Sequence, residues 1–142
     1  MNNEISEQII ASQVAENKRS LVVNEIFGLS WSHAVEPAVY QFADMLYPDY
    51  TGGYWRMLTL SNGGFFMYPE IESPVKFISP NGNSGEFSEV GAGTATCLMT
   101  YSNLSFQDGD YAAVCADQYH LLRDYLFTLS ENDVKGVLAC ID

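Results

Sequence analysis

The residues that could do covalent or metal chemistry are few: three cysteines and two histidines in 142 residues. Cys97, Cys115 and Cys140 are odd in number, far apart in sequence and without a C-x-x-C pair, so the spacing suggests neither a disulfide framework nor a zinc ribbon. They read as reduced, mostly buried thiols. His33 and His120 belong to no H-E-x-x-H or H-x-E with P-C-x-x-C pattern, which gives a zinc enzyme little support. A nucleophilic pair assembled in space from Cys97 or Cys115 with His120 is the one catalytic route these side chains leave open, and it would suit a small hydrolase or transferase.

The remaining chemistry-bearing patterns are weaker. Gly91-Ala92-Gly93 and Gly63-Gly64 lack the G-x-x-x-x-G-K-[ST] phosphate cradle, and the first lacks the third glycine and preceding strand of a dinucleotide site. Turn and packing roles suffice for them. Glu70/Glu72 and Asp108/Asp110 are paired carboxylates of the kind that serve acid–base chemistry, but i,i+2 spacing on a strand or loop is also what a solvated surface produces.

Charge narrows the functional classes further. Eighteen acids against six Lys and Arg give a formal net charge of -12, and the chain is short of bases more than rich in acids. Lys18-Arg19 is the only close basic pair, with Arg56, Lys76, Arg123 and Lys135 scattered. A face that neutralises phosphates needs clustered bases, so direct binding of DNA or RNA, or of an anionic membrane, is not expected. Such acidity suits contact with a basic protein surface, including the DNA-binding groove of a nucleic-acid enzyme. Literal mimicry of DNA needs a dense, regular carboxylate array, whereas the acids here are dispersed.

The elements that must position these residues can be read from pattern. Ile5, Ile9, Ile10 and Val14, behind Asn3 as N-cap and ahead of Lys18-Arg19, predict a helix over residues 4–19. Leu21-Val22-Val23 is a β-branched run that begins a strand, and Gly28 closes that segment. Glu36-Pro37 opens a second helix with Val39, Phe42, Met45 and Leu46 as its apolar stripe, Gln41 and Asp44 on its far side, and Pro48 as its stop. Residues 54–60 and 65–68 flank Ser61-Asn62-Gly63-Gly64, and Asn-Gly predicts a β-hairpin. Residues 75–79 read as a third strand between Pro74 and Pro80, and 81–85 as a loop. Ser88-Glu89 caps a small-residue helix running to about 102, despite Gly91 and Gly93, because small residues allow close packing on a sheet. A long helix over 110–129 and a short one over 131–141 complete the chain.

The expected architecture is a single α+β domain over residues 1–142, with a small antiparallel sheet, the central hairpin plus at least one further strand, packed with about four helices. Hydrophobic residues at 47% and charged residues at 17% exclude a disordered or collagen-like chain. Met1-Asn2-Asn3-Glu4 offers no basic n-region and no apolar stretch approaches a membrane span, so the expected location is the cytoplasm.

Three segments carry a specific resemblance: Glu36-Pro37-Ala38-Val39-Tyr40, then Tyr47-Pro48-Asp49-Tyr50-Thr51-Gly52-Gly53-Tyr54-Trp55, then Leu60 to Pro69 around Asn62-Gly63-Gly64. Together with Phe27-Gly28, the helix around 91–98, Leu121 to Tyr125 and Ile141-Asp142, they resemble the ArdB/KlcA antirestriction proteins of plasmids and mobile elements over most of residues 19–142. The chain thus divides into an N-terminal helix, 1–19, and a family-matching region, 20–142. It departs from the family pattern at Tyr47, often Cys, at Arg56, often an acid, and at Leu129-Ser130-Glu131, where His-Pro-Glu is common.

The resemblance implies a small α+β protein that protects incoming unmodified DNA from Type I restriction, with no cofactor and no known catalytic residue. Its partner would be a protein, either the Type I enzyme or associated DNA-processing machinery. Asp49, Tyr50, Tyr54 and Trp55 are the first candidate contact residues, joining an acid to aromatics of the kind enriched in interface hot spots. Asp142 is the second candidate, carrying both a side-chain and an α-carboxylate if it is terminal.

Overall fold

A buried helix rich in glycine, alanine and threonine forms the centre of the molecule. The computed structural model describes residues 8–142, in the order β1 (Ala11–Gln13), α1 (Arg19–Phe27), α2 (Glu36–Leu46), β2 (Trp55–Leu60), β3 (Phe65–Pro69), β4 (Val75–Ile78), β5 (Ser84–Phe87), α3 (Glu89–Ser105), α4 (Ala112–Leu126) and α5 (Glu131–Ile141). A 3-10 turn precedes α1 and a wide π turn, Trp31–Val35, leads into α2. The strands form two antiparallel sheets, β1-β2-β3 and β4-β5. The α+β class, the small antiparallel sheet and its helical cover are as expected from the sequence.

Helix α3 is buried along Gly91–Leu98 and packs on β3, α2, α4 and α5. Its Ser88 N-cap accepts from Gly91 N at 3.1 Å. The hydroxyls of Thr94, Thr96 and Thr100 donate to the carbonyls of Val90, Ala92 and Thr96 at 2.7–2.8 Å, so burying them leaves no polar group unpaired. Tyr47 Oη also donates to Ala92 O at 2.6 Å, joining the end of α2 to α3. At Gly93 helix α3 lies so near the sheet that even a methyl would sit 2.5 Å from Met67 O.

The hairpin forms as predicted, with Trp55↔Pro69 to Thr59↔Phe65 in register. Asn62 explains its turn: Oδ1 accepts from Gly64 N at 2.9 Å, Nδ2 donates to Leu121 O at 2.9 Å, and Gly63 takes a φ of 95°. On the side of β3 facing away from β2, helix side chains meet the backbone. Gln118 Oε1 accepts from Phe65 N at 2.8 Å, Tyr101 Oη donates to Phe65 O at 2.6 Å, and the Cys97 thiol donates to Met67 O at 3.5 Å.

Five expectations are corrected. Of the helix expected over 4–19, residues 4–7 and the Asn3 cap lie outside the described residues. Within the remainder, Ala11–Gln13 is a strand paired with Leu60 to Leu58, because sheet pairing outweighs a weak helical spacing. The run Leu21-Val22-Val23 lies in α1, where Val23 and Phe27, four residues apart, both turn inward. Strand β4 does not extend the hairpin sheet but pairs with β5, which takes Ser84 and Gly85 out of the expected loop. Gly85 fits there because the Phe77 ring would sit 3.1 Å from any Cβ at that position. On α2 the inward face is Val39, Ala43 and Leu46, and Met45 is 49% exposed.

Candidate interaction surface

The loop joining α2 to β2 follows from its residues. Tyr47, buried against α3, anchors one end, Pro48 stops the helix, and Gly52 and Gly53 take φ values of 92° and 117° that side chains rarely adopt. The loop brings Tyr50 back onto Trp55: Trp55 Nε1 donates to Tyr50 Oη at 3.0 Å, and the rings meet edge to face at 5.8 Å. Tyr40 of α2 meets the Trp55 ring at 5.6 Å and donates to Glu36 at 3.1 Å. Burial, then the Glu36 carboxylate, push the Tyr40 hydroxyl up to about 12. Arg19 donates to Trp55 O, and its guanidinium stands 4.7 Å from the centre of the Tyr54 ring.

Of the loop candidates, Asp49 and Tyr54 are exposed, Tyr50 is half-buried, and Trp55, 3% exposed, is the buried ring against which Tyr50 packs. Tyr54 is 40% exposed over Arg19. Asp142 is exposed at the end of α5, an element that packs on α3 and β5. The structure therefore gathers Asp49, Tyr50, Tyr54 and Trp55 and leaves Asp142 on another element. Arg19, Glu36 and Tyr40 complete the loop's support; their separation in sequence from Trp55 hid them from motif reading. Beside the loop, Arg56 of β2 and Glu70, the residue after β3, form a surface ion pair at 2.5 Å.

The thiols are set for packing. Cys97, Cys115 and Cys140 are buried and unpaired, and burial pushes their thiols from an ordinary value of 9.0 up to about 12, 11 and 12. His120, by contrast, is exposed with its ring edge-on to Tyr119 at 5.6 Å. The folded state holds the thiol protons more tightly than the unfolded chain. Stability from this source is therefore fully present below pH 9 and is lost as pH rises toward 11–12. We expect a thiol reagent at pH 8 to label none of the three cysteines in the native protein and all three in urea. Denaturation midpoints should fall steeply above pH 9. Rapid native labelling would show that burial does not suppress the thiolates.

Among the described residues no group of three His, Cys, Asp or Glu side chains is gathered to hold a metal ion. No helix of the described residues is long and apolar enough to cross a membrane.

Comparison with known proteins places this fold. Residues 48–142 match the model of a family described as antirestriction protein. Two Escherichia coli proteins named antirestriction protein KlcA are similar along almost the whole chain. One is 32% identical over 99% of both chains, and the other 34% identical over 98% of this chain and 97% of its own. A solved structure of the KlcA and ArdB proteins, described as a novel fold with antirestriction activity against Type I DNA restriction systems in vivo but not in vitro, superposes with a TM-score of 0.86. It is 32% identical and covers 100% of each chain. Sequence along the full length and backbone thus agree: the chain belongs to the antirestriction protein family.

Proposed function

We propose that this protein counteracts Type I restriction–modification in the bacterial cytoplasm, protecting incoming unmodified DNA, and that it works through protein contacts and not by catalysis. The observation that carries the reading is the full-length match to KlcA and ArdB, whose activity is described against Type I systems in vivo. The chain's own chemistry supports the manner of action: a net charge of -12 disfavours holding DNA directly, and deeply buried thiols suit packing better than nucleophilic attack. The partner is the Type I enzyme or DNA-processing machinery associated with it. Asp49 and Tyr54, braced by Tyr50 and Trp55, make one contact with it, and Asp142 makes a second.

The test is the plating efficiency of unmodified phage on a restricting strain and on a matched strain lacking restriction, with and without this protein. Plating is expected to rise at least tenfold in the restricting strain alone, and to fall back when Asp49→Lys and Tyr54→Ala are combined in protein that remains folded. Unchanged plating with folded protein present would overturn the function.

A further inference from the structure

Helix α2 leaves part of its apolar stripe outside the core. Pro37, Ala38, Phe42 and Met45 border a depression of about 510 Å³ whose opposite wall includes Leu104 and Tyr111. A second depression, about 290 Å³, meets the first at Phe42 and Asn103 and is lined by Met99, Phe106, Tyr119 and Ile141. Phe106, at the C-terminal end of α3, is 88% exposed, and Met45 is 49% exposed. Large apolar side chains at that exposure, around a concave surface, mark a site of association.

His33 is the one basic side chain lining this groove, and the formal charges that adjoin its lining residues in sequence are negative. No Lys or Arg lines either depression. Exposed carboxylates adjoin the lining residues in sequence: Asp44 precedes Met45, Asp108 follows Gln107, Asp110 precedes Tyr111, and Asp142 follows Ile141. A second copy of this chain would bring another -12 against them, so self-association is disfavoured. Pro37 and Met45 are eight residues apart on α2, about 12 Å along its axis, which matches two turns of a guest helix.

We propose that the α2–α3 groove is the docking site for an amphipathic, basic helix of a partner protein. The guest's apolar residues at i, i+3 or i+4, and i+7 enter beside Phe42, Met45 and Phe106, and its Lys and Arg face Asp44, Asp108, Asp110 and Asp142. The assignment rests on the antirestriction reading for its biological role, and it names a surface apart from the Asp49–Trp55 loop.

Two arms test it. In the first, isotope-labelled protein is titrated with a 14-residue leucine–lysine peptide designed as an amphipathic helix, and with a scrambled peptide of equal composition. Amide shifts are expected to cluster at Phe42, Met45, Asn103, Phe106 and Tyr119 with the ordered peptide only. They should weaken at 0.5 M salt and vanish in M45D/F106D, whose exposed positions allow folding to be confirmed by an unchanged melting temperature. Equal shifts from both peptides, shifts spread over the acidic surface, or a concentration-dependent dimer lost in F106D would each overturn the groove assignment. In the second arm, M45D/F106D is expected to lose phage protection at least tenfold, while Leu21→Asp, exposed on α1, retains it. Full protection by M45D/F106D alongside active wild type overturns the groove and leaves the antirestriction reading standing. Wild type that does not protect while the ordered peptide still binds overturns that reading and leaves the groove standing.

Discussion

Substituting Gly93 with alanine is expected to lower the free energy of unfolding by about 3 kcal/mol, measured by urea denaturation followed by circular dichroism. The new methyl would lie 2.2 Å from Tyr68 Cβ and 2.5 Å from Tyr68 Cα and Met67 O. Two of those three atoms are backbone and the third is fixed to it, so no rotamer change relieves the overlap and α3 must lift from β3. Lifting it strains the bonds from Tyr101 Oη to Phe65 O and from the Cys97 thiol to Met67 O. Helix propensity acts in the opposite direction, favouring alanine over glycine inside a helix by about 1 kcal/mol. The sign of the measured change therefore decides between local preference and close packing. A variant as stable as wild type, or more so, would mean that α3 does not approach the sheet this closely.

Asp133→Ala is expected to cost about 3 kcal/mol, from two charge-assisted bonds lost and a backbone donor left without its partner. Asp133 is buried near the start of α5, where its N–H donates to the Ser130 N-cap at 3.2 Å. Its carboxylate does not turn back to its own helix but accepts from Ser88 N at 2.8 Å and Ser88 Oγ at 2.6 Å. Ser88 in turn caps α3. The carboxylate thus holds the N-cap of α3, and its charge, in the first turn of α5, is placed favourably for that helix's dipole. Asp133→Asn keeps an acceptor but loses the charge and presents an amide donor to Ser88, so it should fall between alanine and wild type. Thermal melting of the three proteins checks the order, and an alanine variant within 0.5 kcal/mol of wild type would refute this role of the carboxylate.

What could be read from sequence were the elements whose causes lie within a few residues. The Asn62-Gly63 turn, the Glu36-Pro37 helix start and the Ser88 cap are local signals, and each marks an element in the structure. Strand β1 escaped because its partner, β2, is more than 40 residues further on, and Ile9, Ile10 and Val14 fit a helical spacing equally well. Strand β5, Ser-Gly-Glu-Phe, has the composition of a loop and becomes a strand only through pairing with β4. The loop candidates were legible because they are contiguous, whereas Arg19 and Tyr40, which brace Trp55, come from other elements. The α2–α3 groove was illegible for a different reason: in sequence, Phe42 and Met45 look like core residues, and only the packing of α2 shows that Ala43 takes the inward place.

The helix side chains that occupy the outer backbone groups of β3 also bear on how molecules can join. Gln118, Tyr101 and Cys97 already take the positions a newly arriving strand would need, so the three-stranded sheet cannot be extended on that side. Among the described residues the other border of this sheet is β1, three residues long. Fibrillar growth requires each molecule to receive a strand at one border and offer another at the opposite border. With one border sealed from within, edge-to-edge addition through this sheet ends at a pair, and the fold carries its own brake on polymerisation.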